Sequence, residues 1–195
     1  IRSKVAIMLQ DEMRFFLIAS VILSALILLL FFRSISAMLL SIAVVGIGVI
    51  WSVGTLQLFG FKISLLTALI PPLVVVIGIP NCIYFINKFH TSYLESDETN
   101  ESARKNAALV DMVSKMGVVT LFCNITAAIG FAVFALTRSA LLKEFGLVAG
   151  INIMVLFFIS LIFIPAVLSY LPAPKAKHTR YLDNKILEKL LVKIE

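Results

Sequence analysis

The residues best suited to chemistry lie in one long apolar stretch, residues 63–90, where helix-disturbing and polar side chains alternate. Asn81, Tyr84 and Lys88 are spaced at i, i+3 and i+7, so a helix places them on one face. An asparagine amide and a tyrosine hydroxyl form hydrogen bonds but are uncharged at neutral pH. The chemistry that this pattern favours is reversible binding of a small molecule or ion, without a covalent step.

The same stretch contains four residues that disturb helices, Pro71, Pro72, Gly78 and Pro80. Proline removes a backbone donor and kinks a helix, and in lipid the freed carbonyls need protein or cavity water as partners. Such interruptions are typical of transport sites, although glycine and proline are also common in membrane helices generally. We predict a functional helix break at these four residues, with Pro80 shaping its centre.

Two further apolar stretches carry amides and a hydroxyl at Asn124, Thr126 and Asn152. An asparagine cannot face lipid cheaply, so Asn124 and Asn152 should each point to a neighbouring helix. The first interpretation is a hydrogen bond between helices, and the second is a polar lining for a ligand. For the lining we single out Pro80, Asn81, Tyr84, Asn124 and Thr126.

Several kinds of chemistry find no support in these residues. No Asp, Glu, Lys, Arg or His lies deep in an apolar stretch, although such a group is the usual proton carrier in membranes. The sequence has no glycine-rich phosphate loop, no cluster with metal-ligand spacing and no nucleophile beside a base. We therefore expect neither an enzyme nor a metal or other cofactor. The basic residues flank the apolar stretches, which favours a role in membrane topology over nucleic-acid binding.

Composition indicates how these residues are positioned. The chain of 195 residues is 61% hydrophobic and 14% charged, against roughly 25% charged in a typical soluble domain. Its uncharged runs each reach the ~18 residues of a membrane span; they are residues 15–32, 35–61, 63–87, 118–136 and 145–171. The sequence predicts an all-α, polytopic membrane helix bundle with five transmembrane helices and short interfacial helices.

The predicted organisation has three parts: a pre-membrane segment (1–14), the transmembrane bundle (15–171) and a basic amphipathic tail (172–195). We place the spans at about 15–33, 36–59, 63–89, 115–137 and 144–171. Residues 102–113, preceded by Asn100 and Glu101 as helix-start signals, and residues 181–194 are predicted to form interfacial helices. Lysines and arginines are more numerous on the side of Arg33, which places the N-terminus outside and the C-terminus in the cytoplasm.

An ordered set of short motifs resembles the RND superfamily, and within it the MMPL-like exporters and their sterol-sensing-domain relatives, Patched and Niemann-Pick C1. The motifs are Phe31-Phe32-Arg33-Ser34, Trp51 to Gly54, Phe59-Gly60, Ile63-Ser64, Gly78 to Phe85, Thr126 with Gly130-Phe131, Phe145-Gly146 and Pro165 to Leu168. The resemblance implies spans two to six of a six-helix half, cut from a longer polypeptide with a second half. It also implies that the family's relay aspartate falls at Pro80 and its second polar group at Asn81.

The resemblance predicts the membrane half of an exporter that moves a lipid or other hydrophobic substrate across or out of the inner membrane. Because neither Pro80 nor Asn81 can titrate, proton coupling would then depend on the second half. The alternative is a sterol-sensing-like module that binds lipid or acts as a scaffold without energy coupling. The expected partners are membrane lipids, the hydrophobic substrate, and the second half or a homo-oligomer.

Overall fold

The structure, a computed structural model, describes residues 35–61, 64 and 66–171, together with the single positions Phe15, Ile18 and Ile22. The predicted pre-membrane segment (1–14), the first predicted span (15–33) apart from those three positions, and the tail (172–195) with its predicted helix lie outside the described residues. The described residues cover nearly all of the other four predicted spans.

Four long helices make up this part, and short 3-10 helices over Thr67–Leu69 and Val133–Leu136 flank two of them. The long helices are α1 (Ile35–Leu58), α2 (Ile70–Glu95), α3 (Glu101–Ala132) and α4 (Ala140–Tyr170). Each is long and apolar enough to cross a membrane. The predicted all-α membrane bundle is confirmed, and the described residues contain four helices that match four of the five predicted spans.

The beginning of α2 differs from the predicted break. Pro71 and Pro72 lie in the first turn of the helix, where backbone N–H groups have no partner within the helix. The preceding turn is closed by Ser64 and Thr67, since the Ser64 N–H donates to Thr67 Oγ1 at 2.7 Å and the Thr67 N–H donates to Ser64 Oγ at 3.2 Å. The two prolines therefore start a helix instead of interrupting one.

The predicted interfacial helix at residues 102–113 is the first part of α3, not a separate element. Asn100 caps the helix, because its side chain accepts from the Ser102 N–H at 3.0 Å, and Glu101 occupies the first turn. No proline follows to end the helix, so it runs unbroken for 32 residues, about 48 Å. This exceeds the ~30 Å hydrocarbon core, so we expect the charged first part of α3 to extend beyond it.

Helices that follow one another in the chain run antiparallel, so α2 and α4, which also contact each other, run parallel. One buried cluster joins the start of α1 to the ends of α2 and α4 and to the first half of α3; its members include Leu40, Phe85, Phe89, Met112 and Ile164. A second cluster joins the end of α1 to the starts of α2 and α4, through Leu56, Val74 and Val148. We call the end where α2 and α4 finish the charged end, and the opposite end the far end.

Glycines allow the closest helix contacts. A Cβ at Gly78 would lie 2.9 Å from Val45 Cγ2 and 3.3 Å from Leu156 Cδ2, so this glycine lets α1 and α4 approach α2. A Cβ at Gly146 would collide with the carbonyl oxygen of Phe131 in α3. In contrast, only 11% of the apolar stretch of α3 is buried, against 50% for α2, so among the four described helices α3 lies at the edge.

Candidate functional site

A reciprocal pair of amides joins the middle of α2 to α3. Asn81 Nδ2 donates to Asn124 Oδ1 at 3.3 Å, and Asn124 Nδ2 donates to Asn81 Oδ1 at 3.2 Å. Asn124 Nδ2 also donates to the Thr120 carbonyl at 2.7 Å. Both side chains are at most 4% exposed. The pair satisfies the two amides inside the bundle, as buried polar groups in lipid require.

Asn81 lies on the buried side of α2, whereas its neighbour Pro80 lies on the exposed side. Gly78, Asn81 and Phe85 belong to the buried stripe of α2, whereas Pro80 is exposed and lies inside a helix that continues on both sides. Pro80 cannot donate to the carbonyl of Val76, which is itself on the exposed surface. The loss of that backbone bond thus occurs on the outer surface of the bundle, one residue before the amide pair.

The other two predicted lining residues lie away from the amide pair. Tyr84 is 48% exposed and continues the exposed stripe of Val76 and Pro80 at intervals of four residues. Thr126 is exposed, and its hydroxyl donates to the Phe122 carbonyl of its own helix at 2.8 Å. Of the five residues predicted to line a site, the structure brings together Asn81 and Asn124, and places Pro80, Tyr84 and Thr126 on the surface.

A second polar contact ties α4 to α1. Asn152 Nδ2 donates to Thr55 Oγ1 at 2.8 Å and to the Val148 carbonyl at 2.8 Å. The sequence indicated that Asn152 needs a neighbouring helix, but Thr55 was not foreseen as its partner. A threonine can satisfy its hydroxyl on its own helix, as Thr55 also does with the Ser52 carbonyl at 2.9 Å, so sequence alone does not reveal that it is shared.

A charged cluster that was not predicted from the sequence lies at the charged end. The Asp111 carboxylate of α3 forms salt bridges with Lys88 Nζ of α2 at 2.9 Å and with Lys115 Nζ of its own helix at 2.7 Å. It also accepts a hydrogen bond from the Ser92 hydroxyl of α2 at 2.6 Å. The available signal was the i, i+4 spacing of Asp111 with Lys115 and of Lys88 with Ser92, which puts each pair on one helix face. Pairing the two faces requires the register between helices.

Two more cations at this end cap helix termini. Arg104 donates to the Tyr93 carbonyl at 2.6 Å and to the Leu94 carbonyl at 3.0 Å, while its guanidinium lies 4.7 Å from the centre of the Tyr93 ring. Lys105 donates to the carbonyls of Ser169 and Leu171 at the end of α4. Cations at helix C-termini satisfy unpaired carbonyls and complement the helix dipole. The start of α3 therefore holds the ends of α2 and α4.

The charged cluster gives a first testable prediction. We expect Asp111→Asn to lower the free energy of unfolding by about 1–2 kcal/mol, because two ammonium groups lose their carboxylate partner. Lys88 is the more affected cation, since its side chain is 18% exposed and that of Lys115 is 60% exposed. Hydrogen exchange of the backbone amides near Ser92, measured in detergent micelles or nanodiscs, should become faster than in the wild type.

Glu98→Gln is the matched control, because it removes one exposed carboxylate from the connection between the same two helices. It should leave both the unfolding free energy and the exchange near Ser92 unchanged. Equal effects of the two substitutions would show that net charge, and not the contact of Asp111 with α2, stabilises this end.

An apolar cleft opens between the second half of α3 and the first half of α4. Its volume is about 490 Å³. Small residues from both helices, Ala128, Ala132, Gly146 and Gly150, leave this space, and larger apolar side chains complete its walls: Ile125, Ile129, Leu147, Ile151, Met154, Val155 and Phe158. The cleft offers an apolar surface to a ligand, and neither Asn81 nor Asn124 lines it.

These arrangements support binding and helix association. The amides of Asn81 and Asn124 accept and donate hydrogen bonds but do not titrate. Among residues 35–61, 64 and 66–171, no three His, Cys, Asp or Glu side chains gather where they could hold a metal ion. The polar centre of the described bundle is therefore neutral, and its fixed charges lie near the helix ends.

Comparisons with known proteins place this architecture in a family. A model of the MMPL family matches residues 4–184. Searches of curated proteins and of solved structures found no match. The family match covers most of the chain, and it agrees with the long apolar helices and with the motifs that resemble RND proteins. This chain is therefore a multi-pass membrane protein of the MMPL family, within the RND superfamily.

Proposed function

We propose that this bundle is one membrane half of an RND-type exporter that moves a lipid or another hydrophobic molecule across or out of the inner membrane. Membership of the MMPL family supports a transporter module of this type. In this proposal the N-terminus is outside and the C-terminus is cytoplasmic. The charged end, with Lys88, Arg104, Lys105 and Lys115, then lies at the cytoplasmic face.

The pair of amides at Asn81 and Asn124 is the observation that supports a membrane half without its own proton relay. The resemblance puts the relay aspartate at Pro80 and a tyrosine or second acid at Asn81, and Asn81 forms a closed pair with Asn124 inside the bundle. Neither of the two asparagines binds or releases a proton at physiological pH. This half therefore contributes structure and substrate contact, and a proton relay belongs to the second half.

The exposed stripe of α2 is the surface that we assign to the partner half or to a second copy of the bundle. Val76, Pro80 and Tyr84 lie on this stripe, on the outer surface of the helix whose buried side carries Asn81. Tyr84 combines an apolar ring with a hydroxyl that needs a partner, which is typical of a residue at an interface. In this arrangement Pro80 and Tyr84 border the substrate path from outside the bundle, while Thr126 lines it from α3.

A second candidate function is a lipid-binding or scaffold module without energy coupling, similar to a sterol-sensing domain. The same neutral centre favours it, because the apolar parts of the described helices carry no charged side chain that could couple to a proton gradient. The two functions differ in their flux: the exporter moves its substrate with the gradient, and the binding module moves none.

The test is an efflux assay on the intact protein in energised membrane vesicles, with a fluorescent hydrophobic probe and a fluorescent phospholipid. We expect outward flux of the substrate that collapses when a protonophore removes the gradient. Binding of the lipid with equal affinity in both conditions and no flux would contradict the exporter and support the binding module.

A further inference from the structure

The geometry points to a phospholipid site at the far end of the bundle: the cleft between α3 and α4 binds one acyl chain of an anionic phospholipid, and Lys143 and Arg138 hold its headgroup. Lipid binding at this place does not require transport and is therefore separate from the proposed function. It depends on the cleft, on the cations at its mouth and on the surrounding bilayer.

The size and lining of the cleft fit a hydrocarbon chain. Its volume of about 490 Å³ lies within the ~300–1,000 Å³ typical of ligand sites. Its eleven lining residues are all apolar, so a polar ligand would lose hydrogen bonds there. Along α4 the lining extends from Gly146 to Phe158, about 18 Å of helix, which is close to the ~15 Å depth of one hydrocarbon leaflet.

The cleft is a property of the helix contact, and the two helices cannot easily close it. At the far end the backbone at Gly146 lies against the carbonyl of Phe131, and a Cβ at Gly150 would lie 3.2 Å from the carbonyl oxygen of Ala128. The helices are thus already as close as their backbones allow. The space beside these contacts remains because Ala132 and the glycines have little or no side chain to fill it.

Two cations lie at the end of the cleft where a headgroup would be. Lys143 is exposed and precedes Leu147 by four residues and Gly150 by seven, so it continues the lining stripe of α4 by one turn. Arg138 is exposed in the connection that joins the two lining helices. A phosphate at this level would meet both cations where an acyl chain enters the apolar cleft.

The beginning of α4 adds a favourable field for an anion. The first turn of this helix contains no acidic residue, and helix N-termini attract phosphate through the dipole and free N–H groups. Glu144, the nearest acid on the helix, is partly exposed and precedes the lining residues Leu147 and Ile151 by three and seven positions. It therefore shares this side of the helix with Lys143, and the two cations Arg138 and Lys143 outnumber it. The headgroup side therefore carries net positive charge, which favours an anionic lipid over a zwitterionic one.

The experiment measures lipids retained by the purified protein. The intact protein is reconstituted in nanodiscs with equal amounts of phosphatidylglycerol and phosphatidylcholine of identical acyl chains, then extracted in mild detergent and analysed by native mass spectrometry. We expect the wild type to retain phosphatidylglycerol preferentially. Lys143→Gln should lower that preference about fivefold, the effect of one cation near an anionic lipid surface, and Lys143→Arg should preserve it.

A second substitution tests whether an acyl chain occupies the cleft. Ala132 lines the cleft and is exposed, so Ala132→Phe should fill the cleft without a clash in the bundle and reduce retention of both lipids. Val118→Phe, at an exposed position of α3 outside the cleft, is the control and should leave retention unchanged. Retention that neither Lys143→Gln nor Ala132→Phe alters would overturn the proposal, whatever the efflux assay shows.

Discussion

Gly146→Leu is expected to separate α3 from α4 at the far end and to lower the free energy of unfolding by about 3 kcal/mol. A Cβ at this position would clash with the carbonyl oxygen of Phe131 and would lie 2.7 Å from Phe134 Cβ. Backbone cannot move aside as a flexible side chain can, so the helices themselves must shift. The rings of Phe131 and Phe145, with centres 5.7 Å apart, would lose their edge-to-face contact.

Gly130→Leu is the matched control for this prediction. A Cβ at Gly130 meets nothing within 4 Å, and the residue is exposed on α3. It changes the same residue type in the neighbouring helix, and leucine is a better helix former than glycine. Unfolding by sodium dodecyl sulfate in mixed micelles, followed by circular dichroism, should show a large loss for Gly146→Leu and none for Gly130→Leu. Equal stability of both variants would disprove close helix contact at Gly146.

Asn124→Leu is expected to destabilise the bundle by about 1–2 kcal/mol, because it leaves the buried Asn81 amide without its partner. Asn81→Leu should cost a similar amount for the same reason. The double substitution should then be less damaging than the sum of the two, since it removes both polar groups from the apolar interior. This non-additivity is the specific signature of the pair.

A double-mutant cycle with the same unfolding assay measures the coupling between the two positions. Thr126→Val is a suitable control on α3, because the Thr126 hydroxyl is exposed and bonded to its own helix. It should change the unfolding free energy little and show no coupling to Asn81→Leu. Strict additivity of Asn81→Leu and Asn124→Leu would mean that the two amides do not depend on each other.

The sequence predicted which side chains must turn inward, because that requirement follows from the solvent. Amides are costly in hydrocarbon, so Asn124 and Asn152 were expected to contact other helices, and both do. It did not predict their partners, Asn81 and Thr55. Partner choice depends on the register between helices, which is set by close contacts such as Gly78 against Val45, and spacing along one helix contains no information on that register.

Residues with a second way to satisfy their polar groups were harder to place. Thr126 bonds a carbonyl of its own helix and so needs no neighbour, and Tyr84 can expose an apolar ring to lipid or to a partner. Pro71 and Pro72 suggested an interruption, but two prolines fit the first turn of a helix equally well. Whether proline starts or breaks a helix depends on the residues before it, here Ser64 and Thr67.

Helix α3 is longer than its predicted span because a change in charge does not end a helix. Charged residues such as Arg104, Lys105 and Asp111 are good or acceptable within a helix, and hydrophobicity alone marks where the membrane ends. The sequence therefore predicted a span at about 115–137 and, from the start signal at Asn100, a separate helix before it, whereas the two form one helix. The cluster around Asp111 was missed for the same reason, since its members were assigned to different elements.

The fastening of α3 to α4 at both ends constrains how any molecule can reach the space between them. Lys105 binds the carbonyls at one end, and the Gly146 backbone abuts Phe131 at the other. We expect this helix pair to stay rigid and not to open and close. A ligand then enters the cleft laterally from the surrounding lipid, so the rate of entry should depend on the fluidity of the bilayer and not on a conformational change of the protein.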